Sequence, residues 1–130
     1  MQIRTVADLP ASEVAGAPGV AIRVIKEIDE AELKLFDVAP GAATPFHTHA
    51  HPHEVVVLSG SGTVRQASGE HELSEGNVVS VGAREPHSFA GGPAGLRFIC
   101  LDCLFDSARA SLVEAVGSRR DDSQTLVADT

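Results

Sequence analysis

Residues 47–60 read HTHAHPHEVVVLSG and place four of the six histidines of this chain within seven positions, directly ahead of an apolar run. Histidine is the commonest protein ligand for metals, so a cluster of this density indicates a metal site. Residues 55–58, followed by the turn residues Ser59 and Gly60, predict a buried strand. The stretch therefore predicts a metal ion at the mouth of a β-structure.

The spacing of these histidines limits which of them can share one ion. His47 and His49 lie on one face of an extended segment with Cα atoms about 6–7 Å apart, so their rings can converge on a metal. A straight strand from His47 to His53 would spread the set over about 20 Å, so the chain must bend, and Pro52 supplies a place for the bend. We expect three ligands from this stretch. His51 is expected to be an exposed neighbour or a group beside the ligands.

The identity of the third ligand is open between His53 and Glu54. These two residues begin the predicted strand and face opposite sides of it, so only one of them can face the histidine pair. Both sides of the strand are apolar over residues 55–58. Composition alone therefore does not decide between an imidazole and a carboxylate at this position.

Short strand-like segments separated by turns rich in Gly, Pro, Ser and Ala recur along the rest of the chain. Many short strands with regular turns favour an all-β sandwich or barrel. We predict strands at residues 20–27, 31–38, 53–59, 62–67, 70–73, 77–81 and 95–104.

The length of 130 residues predicts a single domain. A C-terminal helix is predicted from Asp106 or Ser107 as its cap, an apolar stripe and Gly117 as its stop. The predicted layout is an N-terminal arm (an edge strand and a loop) at 1–18, a barrel at 19–105, the helix at 106–119 and a flexible tail at 120–130.

Composition excludes several classes of partner. The net charge of −8 disfavours nucleic acid, because no Lys/Arg patch could neutralise phosphates. The sequence has no apolar run of the roughly 18 residues that a membrane span needs. The first ten residues lack the apolar core of a secretory signal. We therefore expect a cytoplasmic protein whose partner is a small molecule.

The two cysteines, Cys100 and Cys103, form a C-x-x-C pair, which can indicate a redox dithiol or half of a zinc site. Here the pair lies in an apolar, strand-like run, where side chains three residues apart face opposite sides. A four-cysteine zinc site would need a second pair, which the sequence lacks. We predict two separate, reduced thiols.

Two motifs resemble those of the cupin superfamily. The first, G-x5-H-x-H-x3/4-E-x6-G, is similar to the stretch from Gly41 to Gly60, and the spacing that ends on Gly60 puts His53 at the acidic position. The stretch resembles small single-domain cupins with a four-histidine site, whose pattern is H-x-H-P-x-x-H-E-x-x-x-L-x-G. One departure is Ala50, which stands where that pattern has Pro. This resemblance favours His53 over Glu54 as the third ligand.

The second cupin motif, G-x5-P-x-G-x2-H-x3-N, resembles GNVVSVGAREPHSFAG. Gly76 is followed eleven residues later by His87, as the motif requires. Gly82, Arg84 and Gly91 stand where the motif has Pro, Gly and Asn. The ligand position is kept despite these departures, so the resemblance implies that His87 is a metal ligand.

The resemblance implies a fold and a metal site. The expected fold is an all-β double-stranded β-helix, the cupin or jelly-roll barrel, with a short C-terminal helix, paired as a homodimer. The expected site holds one divalent transition metal, manganese or iron in preference to zinc, nickel or copper. Its implied ligands are His47, His49, His53 and His87.

The resemblance also implies a function. It favours a metalloenzyme that oxidises a small organic substrate in the manner of a dioxygenase. The alternatives are a non-redox isomerase, cyclase or lyase, and a non-catalytic binding or sensory module. Glu54, Arg84 and Cys100 are candidates for groups beside the metal or substrate, since FICLDC resembles the FLCLIP strand of small cupins, where the Cys points toward the metal.

Overall fold

The computed structural model describes residues 1–104, so the predicted helix at 106–119 and the tail after it lie outside the described residues. One turn of 3-10 helix at Val6–Asp8 precedes the strands. The strands are β1 (Ser12–Glu13), β2 (Val20–Ile28), β3 (Ala31–Val38), β4 (His53–Gln66), β5 (Gly69–Ser74), β6 (Val78–Val81) and β7 (His87–Cys103). The expected edge strand of the N-terminal arm is β1, which pairs with β2.

The strands form one antiparallel sheet in the order β1-β2-β3-β7-β4-β5, with β6 paired to β4. The long strands β4 and β7 pair with each other from one end to the other, with His53 opposite Asp102 and Gln66 opposite His87. The C-terminal half of β7, residues 96–103, also pairs with β3. This is the all-β cupin fold that the sequence predicted, and residues 1–104 contain no α-helix.

Two predicted strands, 53–59 and 62–67, are halves of the single strand β4. The pairing of β4 with β7 shifts register on either side of Gly60, so the strand bends there without ending. Gly60 has a φ of +80°, and a Cβ at this position would collide with the carbonyl of Gly95. The glycine allows two backbones to approach closely, which is a second reason, besides a turn, for glycine in a strand.

Residues 89–95, FAGGPAG, precede the predicted strand 95–104 and resemble a turn in composition, but they lie inside β7. A Cβ on Gly91 would collide with the carbonyls of Val38 and Ala39, and one on Gly92 would lie within 3 Å of Ser61. These glycines let β7 cross close to neighbouring backbone without interrupting the strand.

The register of the sheet places inward-facing side chains in three rows across β3, β7 and β4. Directly opposite residues of an antiparallel pair share one face, so each row is a line of neighbours. The phenylalanine row is Phe36–Phe98–Val57, the lysine row is Lys34–Cys100–Val55, and the aspartate row is Glu32–Asp102–His53. The rings of Phe36 and Phe98 stack with centroids 4.9 Å apart and form the floor below the polar rows.

The opposite face of β4, β6 and β7 is apolar and exposed at Val56, Leu58, Val78 and Leu101. Pairing of two copies through this face stays a prediction. No helix among residues 1–104 is long and apolar enough to cross a membrane.

Candidate metal centre

Three of the predicted ligands, His49, His53 and His87, come together at the mouth of the barrel. One ligand atom of each lies within 4.8 Å of the others. His49 belongs to the segment before β4, His53 begins β4, and His87 begins β7. The chain bends at Ala50 and His51, as the spacing of the histidines required.

His53 is fixed by the aspartate row. It is 8% exposed, and its Nδ1 lies 2.5 Å from Oδ1 of Asp102. Because a carboxylate only accepts hydrogen bonds, the proton lies on Nδ1, and in the neutral ring Nε2 keeps its lone pair. That Nε2 atom is buried without a hydrogen-bond partner among residues 1–104. A buried nitrogen left in this state fits a metal ligand whose tautomer is set by a carboxylate.

His87 is fixed in the same way by a backbone oxygen. Its Nδ1 donates to the carbonyl of Glu85 at 2.8 Å, which leaves Nε2 as the acceptor atom. The Glu85 side chain in turn accepts a hydrogen bond from the amide of Gly82 and steadies this turn. Burial lowers the pKa of His87 and outweighs the opposing hydrogen bond to Glu85, so the ring stays neutral and able to bind a metal.

His49 is positioned mainly by other rings. Its centroid lies 4.6 Å from that of His53 and 4.3 Å from that of His47. Its carbonyl accepts a hydrogen bond from the amide of Arg84. Loss of water lowers the pKa of His49 to about 4, with a further contribution from the neighbouring imidazoles. His49 is therefore neutral at physiological pH.

His47 lies beside this cluster but outside its 4.8 Å spacing, so the structure groups three histidines and not the expected four. Two backbone hydrogen bonds with His87 hold the His47 backbone in place. The ring is exposed, meets His49 edge to face, and has its centroid 6.2 Å from that of His87. His47 lies two residues farther from the bend than His49, its backbone is bridged to that of His87, and its ring stays exposed at the edge of the cluster.

The structure places His53, and not Glu54, in the histidine cluster. Glu54 faces outward, is exposed, and accepts a hydrogen bond from Oγ of Ser80 on β6. His53 therefore belongs to the cluster. Arg84 is exposed with a φ of +62° and does not line the cavity, and its link to the site is its backbone amide.

Asp102 is the centre of a hydrogen-bonded group below His53. It also accepts from the thiol of Cys100 at 2.9 Å and from the ammonium of Lys34 at 2.6 Å. Burial opposes ionisation of Asp102, but the hydrogen bonds from His53, Cys100 and Lys34 prevail and lower its pKa. Lys34 behaves in the same way: burial opposes its charge, and the bonds to Asp102 and Glu32 prevail and raise its pKa.

Cys100 is buried and inward, as expected, whereas Cys103 is half-buried, and both are free thiols. Burial raises the pKa of Cys100, and the hydrogen bond to Asp102 adds to this effect. His53, Cys100 and Asp102 are themselves close enough to form a second possible ligand group. In that second group Nδ1 of His53 and the Cys100 thiol are already hydrogen-bonded to Asp102. Nε2 of His53 has no partner among residues 1–104, so the three-histidine group is the better candidate.

Lys34 and Asp102 are the site residues whose roles the sequence did not reveal. The signal that could have found Lys34 is the alternation in AELKLFDV, where Glu32 and Lys34 share the inward face of β3 with Phe36. Asp102 was expected on the face of Cys100, but its role depends on the register with His53.

These groups surround a cavity of about 320 Å³. Its walls combine the histidines with the apolar rings of Phe36, Phe89 and Phe98. His51, expected to be an exposed neighbour or a group beside the ligands, is half-buried and lines the same cavity. Its Nδ1 is buried without a hydrogen-bond partner among residues 1–104. The cavity can enclose a small molecule next to the histidine cluster.

Comparison with protein families and structures agrees with this fold. Residues 34–102, more than half of the chain, match the family model described as "Cupin domain". Auxin-binding protein 1 from Arabidopsis thaliana is 40% identical over 67 residues, which are 48% of this chain and 33% of that protein. The match thus spans about a third of that relative's length.

Solved structures share the fold. The polyketide cyclase RemF from Streptomyces resistomycificus is 28% identical, with a TM-score of 0.75 over 82% of this chain and 81% of that one. A predicted oxalate decarboxylase from Thermotoga maritima has a TM-score of 0.72 over 81% of this chain and 100% of that one, and at 19% identity this likeness concerns the fold alone. Given the match of residues 34–102, the chain belongs to the cupin family.

Proposed function

We propose that this protein is a metal-dependent enzyme that acts on a small, mainly apolar organic molecule inside the barrel. The observation that carries the proposal is the shared arrangement of His53 and His87. Each ring has its Nδ1 hydrogen-bonded to an oxygen, which leaves Nε2 as a ligand atom, and the Nε2 of His53 is buried without a partner among residues 1–104. Proteins prepare histidines for a metal in this way.

The residues that would hold the metal are His49, His53 and His87, with His47 close enough to join them by a change of its exposed ring. When bound there, a divalent metal supplies Lewis acidity, and iron or manganese also supplies redox chemistry with O2. All of these ligands are neutral, so none of the metal's positive charge is cancelled within the ligand set.

The other residues of the site position the substrate and the proton of His53. Asp102 holds the proton on Nδ1 of His53 and fixes the ring. The rings of Phe36, Phe89 and Phe98 exclude water from the lower part of the cavity, which strengthens the electrostatic interactions near the histidines.

A non-redox reaction such as a cyclisation, isomerisation or elimination is the first candidate. Two observations support it. Glu32, Lys34 and Asp102 place charged groups in the cavity, where they can stabilise charge that develops in such a reaction. RemF, which is similar along four-fifths of this chain, is described as a polyketide cyclase.

Oxidation of the substrate with O2 is the second candidate. It is favoured by the all-imidazole ligand set, which suits iron and manganese as well as zinc. It is also the reaction that the resemblance of HTHAHPHEVVVLSG to small four-histidine cupins implied. The two candidates differ in the metal that they need.

The test is the metal content of untagged protein by plasma mass spectrometry, with His53→Ala and Glu54→Ala as a matched pair. We expect near-stoichiometric metal in the wild type and in Glu54→Ala, because that carboxylate faces outward, and loss of the metal in His53→Ala. Zinc would favour the non-redox candidate, whereas iron or manganese with substrate-dependent O2 uptake would favour oxidation. A wild type without metal, even after reconstitution, would overturn the proposal.

A further inference from the structure

Lys34 is a cation inside the barrel. It lies in the lysine row, one step deeper than the aspartate row and one step above Phe36 and Phe98. Its side chain is only 19% exposed and lines the cavity that contains the histidine cluster. Lysine is among the residues that proteins bury least often, so a lysine at this depth needs an explanation.

The ion pairs of Lys34 account for part of its hydrogen-bonding capacity. An ammonium group donates up to three hydrogen bonds. Nζ lies 2.6 Å from Asp102 and 3.0 Å from Glu32, which accounts for two. The two carboxylates hold the ammonium at the cavity wall and leave one of its three N–H donors for another partner.

Stability alone explains this lysine poorly. Buried ion pairs often contribute no more to stability than well-packed apolar residues of similar volume. Asp102 already accepts hydrogen bonds from His53 and Cys100, so its charge does not depend on Lys34 alone. A methionine at position 34 would extend the apolar floor of the cavity, whereas the lysine adds a positive charge to it.

The charges of the cavity favour a ligand with one negative charge. Among the described residues that line it, the Asp, Glu, Lys and Arg side chains are Glu32, Lys34 and Asp102, and histidines that bind a metal do so as neutral rings. The net charge of minus one becomes plus one when a divalent metal is bound. A monoanionic substrate would bring the loaded cavity to neutrality, which a low-dielectric site favours.

We propose that Lys34 binds a carboxylate of the substrate, and that the substrate class is a monocarboxylic acid with an aromatic or otherwise apolar body. The acid group lies against Nζ, and the apolar body packs on Phe36, Phe89 and Phe98. The substrate class rests on the proposed function. Lys34 is a substrate-binding residue in this scheme, whichever of the two reactions the enzyme catalyses.

The test is calorimetric titration of the zinc-loaded protein with benzoate and with benzamide, a neutral molecule of nearly the same shape. The variants are Lys34→Met, Lys34→Gln and Lys34→Arg, and Lys26→Met is the matched control. The chain has only these two lysines, and Lys26 is exposed on β2 outside the cavity. Lys34→Gln keeps a hydrogen-bond donor for the carboxylates should Lys34→Met fail to fold.

We expect wild type to bind benzoate at least about 10-fold more tightly than benzamide, as charge-assisted hydrogen bonds require. This ratio of dissociation constants should fall by about 10-fold in Lys34→Met and Lys34→Gln and persist in Lys34→Arg and Lys26→Met. Any direct contact of benzoate with zinc is common to all variants of equal zinc content, so the change in the ratio reports on Lys34.

Two results would overturn the inference: an unchanged ratio in the neutral variants, or no binding of benzoate to wild type up to its solubility limit. Zinc content, measured on the same samples, is a separate readout. Its absence from wild type would overturn the proposed function, whereas an unchanged ratio at full zinc content would overturn the role of Lys34 alone.

Discussion

The histidines at the mouth of the barrel fall into two pairs that are held differently. His53 and His87 begin strands β4 and β7, are buried, and have Nδ1 tied to an oxygen of Asp102 or Glu85. His47 and His49 precede β4 on a bent segment and are positioned by ring contacts with their neighbours. The sheet fixes the first pair, and the bent segment before β4 positions the second.

This difference shows which ligands the fold fixes before a metal binds. The sheet fixes a ligand on a strand and a carboxylate in the same row before any metal arrives, so little entropy is lost on binding. The rings of His47 and His49 have no such side-chain hydrogen bond among the described residues, so these rings must be fixed when the metal binds. The fixed pair should therefore carry most of the metal affinity.

The largest expected effect is a contrast between one histidine of each pair. His87→Ala should lower the affinity for zinc by more than about 100-fold. The loss of a metal ligand should cost more than the loss of a residue that only orients a ligand through a hydrogen bond. His47→Ala should lower the affinity for zinc by about 10-fold or less, because no side-chain hydrogen bond fixes the His47 ring in advance. Competition with a chromophoric zinc chelator measures both, with His71→Ala on β5 as the control. Equal losses in the two variants would break the comparison.

A smaller effect should follow from loosening His53 without removing it. Asp102→Asn keeps the shape of the side chain but removes the charge that holds the proton on Nδ1, so zinc affinity should fall by about 10–100-fold. Asp37→Asn is the matched control, because Asp37 pairs with Arg23 and Arg97 away from the cavity. An unchanged affinity in Asp102→Asn would mean that backbone position alone fixes His53. The same chelator assay applies.

Most of the fold could be predicted from local patterns. Strands β2 and β3 were predicted to within one residue, because alternation and turn residues are local signals. The errors concern glycines: Gly60, Gly91 and Gly92 resemble turn residues but serve close backbone contacts inside β4 and β7. Which of these two roles a glycine has depends on strands that are distant in sequence.

The candidate site shows the same limit. His53 could be chosen over Glu54 only through the resemblance to a family, because both faces of β4 are apolar. The partner of His53 is Asp102, 49 residues away, and that pairing is set by the register of β4 against β7. A sequence shows that Asp102 and Lys34 are polar residues in strands, but only the register shows that they meet a histidine.

The smallest expected effect concerns the pH dependence of the metal-free protein. The pKa of His49 is lowered from 6.5 to about 4, first by burial, and that of His87 is lowered as well. Between these values the unfolded chain binds protons that the folded chain does not, so stability must fall as pH falls from about 6.5 toward 4. Urea unfolding of metal-free wild type should therefore give a lower midpoint at pH 4.5 than at pH 7. His49→Gln should lose less over this range, because the unfolded chain then has one fewer imidazole to protonate. His87 keeps its share of the effect in that variant, and an equal loss in wild type and His49→Gln would show that burial does not keep His49 neutral.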